Sequence, residues 1–175
     1  MQTYVALLYS IILGQGRRVV MADLKAMAED LGLKNVRTLV ATGNLVFETS
    51  ATAIADLEQR LEAAFGRHVE IIVRGAEEWL TLAAGNPFLG ESIEAGDQVA
   101  VRVMRQPAPM DAVAALQAYA AEDEKVLSVG GDIWVVFSRE RPSSRLLAAT
   151  NHKRLGIGTS RNWNTVRKLA EMVSA

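Results

Sequence analysis

The order in which hydrophobic patterns follow one another limits the possible folds of this chain more than any other feature. Tyr4–Leu13 is almost wholly apolar, as in a strand that is buried on both faces. From Met21 the apolar residues fall at helical spacing, and Gly32 follows as a stop. Residues 36–49 have the pattern of two strands and a turn, a second helical pattern follows, and residues 68–73 predict another strand. The order β-α-β-β-α-β is that of the split βαβ, or ferredoxin-like, unit.

The second half of the sequence repeats most of this order without repeating the residues. Residues 98–104 predict a strand, which is followed by a helical pattern, and "KVLSV" and "DIWVVF" flank Gly130-Gly131, a strong hairpin signal. Another helix ends near Gly156, and the fourth strand of this half is either the short "GIGTS" stretch or missing. We therefore predict an α+β protein of two ferredoxin-like modules, each an antiparallel sheet with helices on one face.

Composition indicates where one module ends and the next begins. Residues 86–97 combine glycines, a proline and acidic residues between two patterned regions, which is typical of a linker. We predict a first module at residues 1–85, a linker at 86–97 and a second module with a C-terminal helix at 98–175. A length of 175 residues is sufficient for one domain or two small ones.

Residue types that are missing or isolated exclude several kinds of chemistry. The chain has no cysteine, which excludes disulfide scaffolds, thiol catalysis, zinc-thiolate sites and iron–sulfur clusters. Residues 14–18 lack the endings of a P-loop and of a dinucleotide fingerprint, and His68 and His152 have no companion ligands at metal spacing. We expect no metal and no cofactor. The sequence offers no acid, base or nucleophile for a catalytic role, so enzyme activity stays open.

The apolar run near the N-terminus helps to predict the cellular location of the protein. It is too short to span a bilayer, and it lacks both the basic segment and the small-residue cleavage pattern that flank a signal peptide. Together with the absence of cysteine, this favours a cytoplasmic protein that does not associate with membranes.

Charge is distributed unevenly along the chain. The net charge of −1 argues against a general polyanion binder. Residues 139–168, however, contain eight Lys or Arg and one Glu, so this segment carries +7 and the remainder −8. Such asymmetry indicates an anionic partner, or a basic region that faces acidic helices of the same chain.

The run "GTSRNWNTVRKLAEM" contains the most specific polar cluster. The apolar residues after Trp163 fall on one face of a helix that begins near Arg161, and Ser160 or Asn162 is a suitable N-cap. The free N–H groups and positive dipole end of a helix also bind anions, and an Arg can contact phosphate or carboxylate in a bidentate manner. Spacing alone leaves both interpretations open, a capped helix or an anion site.

Four stretches carry a resemblance to a known family: "YVALL", "RVVMADLKAMAEDLGLKNVRTLVATGNLVFE", "NPF" and "LGIGTSRNWNTVRKLAEM". The run from Arg161 to Thr165 and the turn Thr42-Gly43-Asn44 are their most specific parts. In these stretches the chain resembles the bacterial domain-of-unknown-function family DUF1697. The resemblance implies two ferredoxin-like modules in one chain and a cytoplasmic bacterial protein, and it implies no established activity.

One loop departs from the pattern of that family. There the first strand usually runs into an Arg-Gly-Ile-Asn-Val-Gly-Gly loop, whereas residues 9–15 here read "YSIILGQ". Tyr9 and Ile12 therefore stand in place of the Arg and the Asn, and Val20 stands in place of the following Pro. A family function that depends on this loop would be altered in this chain, while the C-terminal motif is intact.

We predict that a small anionic ligand binds in the groove between the two modules, with Arg161 as its anchor. The candidate ligand-binding residues are Thr159, Ser160, Arg161, Asn162, Asn164, Gly43, Asn44, Arg17 and Arg18. Two alternatives stay open: a nucleic-acid-binding module that uses the basic residues of 139–168, and a protein-interaction or dimerisation module in which exposed sheet edges pair between chains. We expect a monomer or a homodimer.

Overall fold

A computed structural model describes most of the chain, and the chain divides into two compact units. The described residues are 1–9, 12–13, 17–18, 21–39, 43–65, 69–138, 144–150 and 153–175. Unit 1 consists of Met1–Thr81 and Lys168–Ala175, and unit 2 consists of Leu82–Arg167.

Unit 1 contains a four-stranded sheet and a separate pair of short strands. The strands of this unit are β1 (Gln2–Tyr9), β2 (Ile12–Leu13), β3 (Arg17–Arg18), β4 (Lys34–Leu39), β5 (Asn44–Thr49) and β6 (Glu70–Gly75). Its helices are α1 (Met21–Asp30), α2 (Ile54–Phe65) and α3 (Ala76–Ala84), the last of which ends in unit 2. The sheet has the order β4-β5-β1-β6 with antiparallel neighbours, and β2 and β3 form a separate two-stranded ladder.

Alternation along the central strand β1 determines which side chains the helices cover. Tyr4, Ala6 and Leu8 lie on one face, because side chains in a strand alternate between its two faces. They pack with buried residues of α1 and α2, including Leu24 and Leu61, in one hydrophobic core. Removal of this apolar surface from water, worth about 25 cal/mol per Å², fixes the two helices on one face of the sheet.

Unit 2 repeats the arrangement. Its helices are α4 (Leu89–Ala95), α5 (Met110–Gln117), α6 (Arg145–Thr150), a 3₁₀ turn (Lys153–Leu155) and α7 (Trp163–Ser174), whose last residues belong to unit 1. Its strands are β7 (Val99–Met104), β8 (Lys125–Val129), β9 (Asp132–Val136) and β10 (Gly158–Asn162), in the antiparallel order β10-β7-β9-β8. Ala100, Met104, Leu116 and Leu146 belong to its hydrophobic core.

The two sheets share one strand order, which confirms the predicted fold class. In each sheet the first and third strands of the module are central, and the second and fourth are at the edges. The fourth strand of the second module is present as β10. Gly130 and Gly131 both have positive φ angles, 60° and 88°, as a type I′ hairpin turn requires. The protein is therefore an α+β structure with two split βαβ modules.

The segment 86–97, for which the sequence predicts a linker, contains the helix α4. Phe88 and Ser92 are buried there, and the Ser92 hydroxyl donates to the Phe88 carbonyl at 2.7 Å. Lys125 Nζ on β8 donates to Glu91 Oε1 at 2.6 Å, which lowers the pKa of Glu91. This segment is thus attached to unit 2, and the domain boundaries stay a prediction for fragments to test. Within the described ranges, no helix is both long and apolar enough to cross a membrane.

Candidate functional site

The run that the sequence singles out divides between a strand and a helix. Gly158–Asn162 is the edge strand β10, in which Arg161 pairs with Val101 and Thr159 with Val103 of β7. The helix α7 begins only at Trp163. Pairing with β7 therefore holds residues 158–162 extended, and Thr159, Ser160 and Arg161 are not in the first turn of a helix.

Of the two predicted N-caps, Asn162 is the one observed. Its Oδ1 accepts a hydrogen bond from the backbone N–H of Thr165 at 3.0 Å, the contact of an N-cap with the third helical residue. Ser160 lies two positions earlier, inside β10. Trp163 starts the helix half-buried, and its ring centroid is 6.1 Å from that of the buried Trp134.

Arg161 is almost completely buried, with 8% of its surface exposed. Its Nη1 donates to the Thr159 hydroxyl at 2.7 Å and to the Ser160 carbonyl at 2.9 Å. Burial lowers the pKa of Arg161 to about 10, so the guanidinium still carries its charge at neutral pH. These contacts bind Arg161 to its own strand, and a role in ligand binding stays a prediction.

The remaining candidate residues lie in separate places. Asn164 is exposed and packs close to Gly96, where an added Cβ would clash with its Oδ1. In unit 1, Gly43 has a φ of 77°, and its carbonyl accepts from the Leu8 N–H at 2.9 Å. Asn44 is fully buried and its Nδ2 donates to the Leu39 carbonyl at 3.0 Å. Gly43 thus lies in a turn directly before β5, and Asn44 is the first residue of that strand.

Several predicted features fall partly or wholly outside the described residues. Arg17 and Arg18 form β3, whose backbone pairs with β2. Thr42, His68 and His152 lie outside the described residues, as do most of the altered loop residues 9–15. In the part of the chain that the structure describes, no three His, Cys, Asp or Glu side chains form a group that could hold a metal ion.

A buried arginine on β7 was not among the predicted residues. Arg102 is 4% exposed, lies opposite Ser160 of β10, and donates from Nη2 to the Gly156 carbonyl at 3.0 Å. A side chain at Gly158 would meet Arg102 Nε and Met104 Sδ, so a larger residue at this position would have to displace these two side chains. The signal in the sequence was the charged residue inside the apolar strand "VAVRVM".

A pocket of unit 2 lies between α5 and α6. Its volume is about 410 Å³. Most of its lining is apolar, and three residues add polar groups: Arg145 at the start of α6, Arg154 in the 3₁₀ turn and Tyr119 beyond the end of α5. The apolar lining residues are Ala112, Ala115, Leu116, Ala148, Ala149 and Leu155.

The charges of this pocket are at its exposed rim. Arg145 and Arg154 are both exposed, whereas Leu116 and Leu155 are buried. The guanidinium carbon of Arg145 lies 5.7 Å from the centroid of the Tyr119 ring, a cation–π contact that orients the charged group. Both arginines belong to the basic segment 139–168, and the described lining contains no carboxylate. Sequence spacing could not reveal this pocket, because its walls come from separate parts of the chain.

Buried carboxylates of unit 2 hold the backbone rather than face a cavity. Glu124 is 4% exposed and accepts hydrogen bonds from the Ser144 hydroxyl at 2.8 Å and the Ala121 N–H at 3.1 Å. Asp132 is equally buried and accepts from the Met104 N–H at 2.8 Å. Their lone pairs are used to satisfy backbone and hydroxyl donors, which is a structural role.

Comparisons with known proteins agree with the fold. No curated protein matches the chain. Its structure is similar to that of the conserved bacterial protein SP0830 from Streptococcus pneumoniae, with a TM-score of 0.76 and 24% sequence identity over 98% of each chain. That likeness shows a shared fold. A family model described as a protein of unknown function matches residues 1–134, so the resemblance found in the sequence is confirmed and the chain belongs to the DUF1697 family.

Proposed function

We propose that this protein binds a small anionic organic molecule in the pocket between α5 and α6. The observation that carries the proposal is the presence of Arg145 and Arg154 on the rim of a largely apolar pocket of about 410 Å³. Pockets that bind small molecules commonly have volumes of about 300–1,000 Å³, with apolar walls and a few polar groups that orient the ligand.

The physical argument is the strength of charge attraction next to apolar walls. An anion that contacts a guanidinium beside protein is less screened by water than one in bulk solvent, so the attraction is stronger. Arginine also presents several N–H donors in one plane, which suits the two oxygens of a carboxylate or phosphate. Two guanidinium groups at the rim of an apolar pocket are complementary to an organic anion.

Arg161, the anchor that the sequence predicts, is less accessible than Arg145. Its guanidinium is buried and donates to Thr159 and Ser160, which supports a role in holding β10. Arg145 is exposed at the pocket and therefore accessible to a ligand. Ligand binding in unit 2 is thus expected to depend on Arg145 more directly than on Arg161.

Titration of the protein with small organic anions, followed by amide NMR, tests the proposal. We expect signals of residues 112–119 and 145–155 to shift, and Arg145→Gln to weaken binding about tenfold, since a charge-assisted hydrogen bond contributes about 1.5–3 kcal/mol. Arg154→Gln should act in the same direction. Arg167→Gln is the matched control, because Arg167 is an exposed arginine of the same basic segment outside the pocket lining.

Two outcomes would contradict this assignment. Equal loss of affinity in Arg145→Gln and Arg167→Gln would mean that the overall positive charge of the segment attracts the anion. The anion would then not bind specifically in the pocket. Tight binding of a short RNA that falls steeply with salt would instead favour the nucleic-acid alternative, because phosphate contacts release counterions.

We propose self-association through β8 as a second candidate function. The observation that favours it is the position of Leu127 and Val129 on an edge strand, with 48% and 37% of their surfaces exposed. An edge strand presents backbone groups that a second chain can pair with, and apolar side chains on it strengthen such pairing. The dependence of the molecular mass on protein concentration tests this proposal.

A further inference from the structure

We infer that the ligand of the α5–α6 pocket is an amphipathic anion, an acyl or aryl chain that ends in one carboxylate or phosphate group. This inference rests on the proposed function and specifies its ligand class. The chain would lie against the alanine and leucine side chains, and the anionic group would contact Arg145 and Arg154 at the rim. Three properties of the pocket lead to this class.

The first property is the chemistry of the two helical walls. From α5 the lining residues are Ala112, Ala115 and Leu116, which repeat at the spacing of one helix face. From α6 they are Ala148 and Ala149, one turn after Arg145. These side chains have no hydrogen-bonding groups, so a sugar or a nucleotide base against them would have unpaired polar atoms. An apolar body avoids that cost.

The second property is the separation of apolar and charged lining. In the 3₁₀ turn, Leu155 is 6% exposed and its neighbour Arg154 is exposed, so consecutive residues supply an apolar surface and a rim charge. The Arg145 guanidinium carbon lies 5.7 Å from the centroid of the Tyr119 ring. A guanidinium in a cation–π contact still has N–H groups that can donate to an anionic oxygen.

The third property is size. A volume of about 410 Å³ is near the lower end of the range for small-molecule pockets. We infer a single chain of about eight carbons with one head group, because a pocket near the lower end of this range favours a small ligand. The alanines of the lining contribute to this volume, because their small side chains leave the space between the helices open.

Calorimetric titration of the full chain with homologous probes tests the inference. The probes are acetate, inorganic phosphate, butanoate, hexanoate, octanoate, octyl phosphate and neutral octanol. We expect affinity for the carboxylates to rise about fourfold with each added CH₂, which corresponds to about 0.8 kcal/mol per group. Octanol should bind more weakly than octanoate, and the tighter of octanoate and octyl phosphate identifies the head group.

A matched pair of alanine variants separates the pocket from the rest of α5. Ala115→Leu places a larger side chain in the pocket and should weaken octanoate binding at least tenfold, while Ala114→Leu, equally exposed on the same helix but outside the lining, should not. Urea midpoints of both variants verify that they fold. Equal affinity of both variants and wild type for octanoate would overturn the inference.

The ligand class and the proposed function can fail separately. If acetate and inorganic phosphate bind as tightly as octanoate, and Arg145→Gln weakens them all, an anion site exists but the amphipathic class is wrong. If none of the anionic probes binds, the proposed function fails together with the inference.

Discussion

At the scale of single residues, neighbouring polar side chains of one motif have different roles. Arg161 is buried and bonds to Thr159 and Ser160 within β10, whereas Asn162 caps α7. The sequence predicts a cap at Ser160 or Asn162, since both side chains have a suitable oxygen. The start of the helix decides between them, because Asn162 directly precedes the first helical residue, Trp163, and its Oδ1 accepts from the Thr165 N–H.

Loss of this cap has a predictable effect on stability. We expect Asn162→Ala to lower the free energy of unfolding by about 1 kcal/mol, because the N–H of the third helical residue loses its acceptor. Ser160→Ala is the matched control and should have a smaller effect, since Ser160 lies before the cap. Urea unfolding of both variants measures the difference. Equal losses of stability in the two variants would mean that loss of the Asn162 cap is not the cause.

At the scale of secondary-structure elements, the edges of the two sheets differ. The outward N–H groups of β6, at alternate residues, are each bonded to a glutamate. The pairs are Ile71 with Glu62 at 3.0 Å, Val73 with Glu58 at 3.1 Å and Gly75 with Glu78 at 3.2 Å. Carboxylates in these positions block pairing with another strand. On β8, by contrast, Leu127 and Val129 are exposed.

This contrast makes β8 the edge at which self-association is tested. We expect the mass of wild-type protein, measured by light scattering, to rise with concentration towards that of a dimer. Leu127→Lys should keep the protein monomeric, because it places a charge at the centre of the proposed pairing strand. Leu147→Lys is the control, as Leu147 is also exposed, at 44%, but lies on α6. A wild type that stays monomeric at every concentration contradicts the proposal.

At the scale of the whole molecule, the order of elements along the chain does not coincide with the two compact units. The last helix begins in unit 2, and residues 168–175 belong to unit 1. In unit 1, Arg37 Nη1 donates to the Met172 carbonyl at 2.9 Å, and Leu169 is fully buried. A C-terminal helix that is assigned to the second module by sequence order thus also contributes to the first unit.

Separation of the chain into residues 1–97 and 98–175 tests the domain boundaries. We expect each fragment to have native-like helix and strand content by circular dichroism, because each contains the strands of one sheet. Both should unfold at lower urea concentration than the full chain. For residues 1–97, one reason is the loss of the 168–175 part of unit 1. Two wholly disordered fragments would show that the chain is a single interwoven domain.

The sequence by itself determined the fold class, because the alternation of strands and the spacing of helices are local patterns along the chain. The hairpin at Gly130-Gly131 and the end of a helix at Gly32 are two of these local patterns, since the turns themselves require glycine with a positive φ angle. The family membership rests on a match over one continuous part of the sequence, residues 1–134.

Only the tertiary structure revealed the pocket for which we propose ligand binding. The pocket of unit 2 joins Ala112 and Ala115 of α5 with Arg145 and Arg154, which are distant in sequence and meet through helix packing. Burial of Arg161 likewise follows from the pairing of β10 in the sheet, a contact with β7 that local spacing does not encode. Elements are specified by neighbours in sequence, whereas pockets and buried charges are specified by neighbours in space.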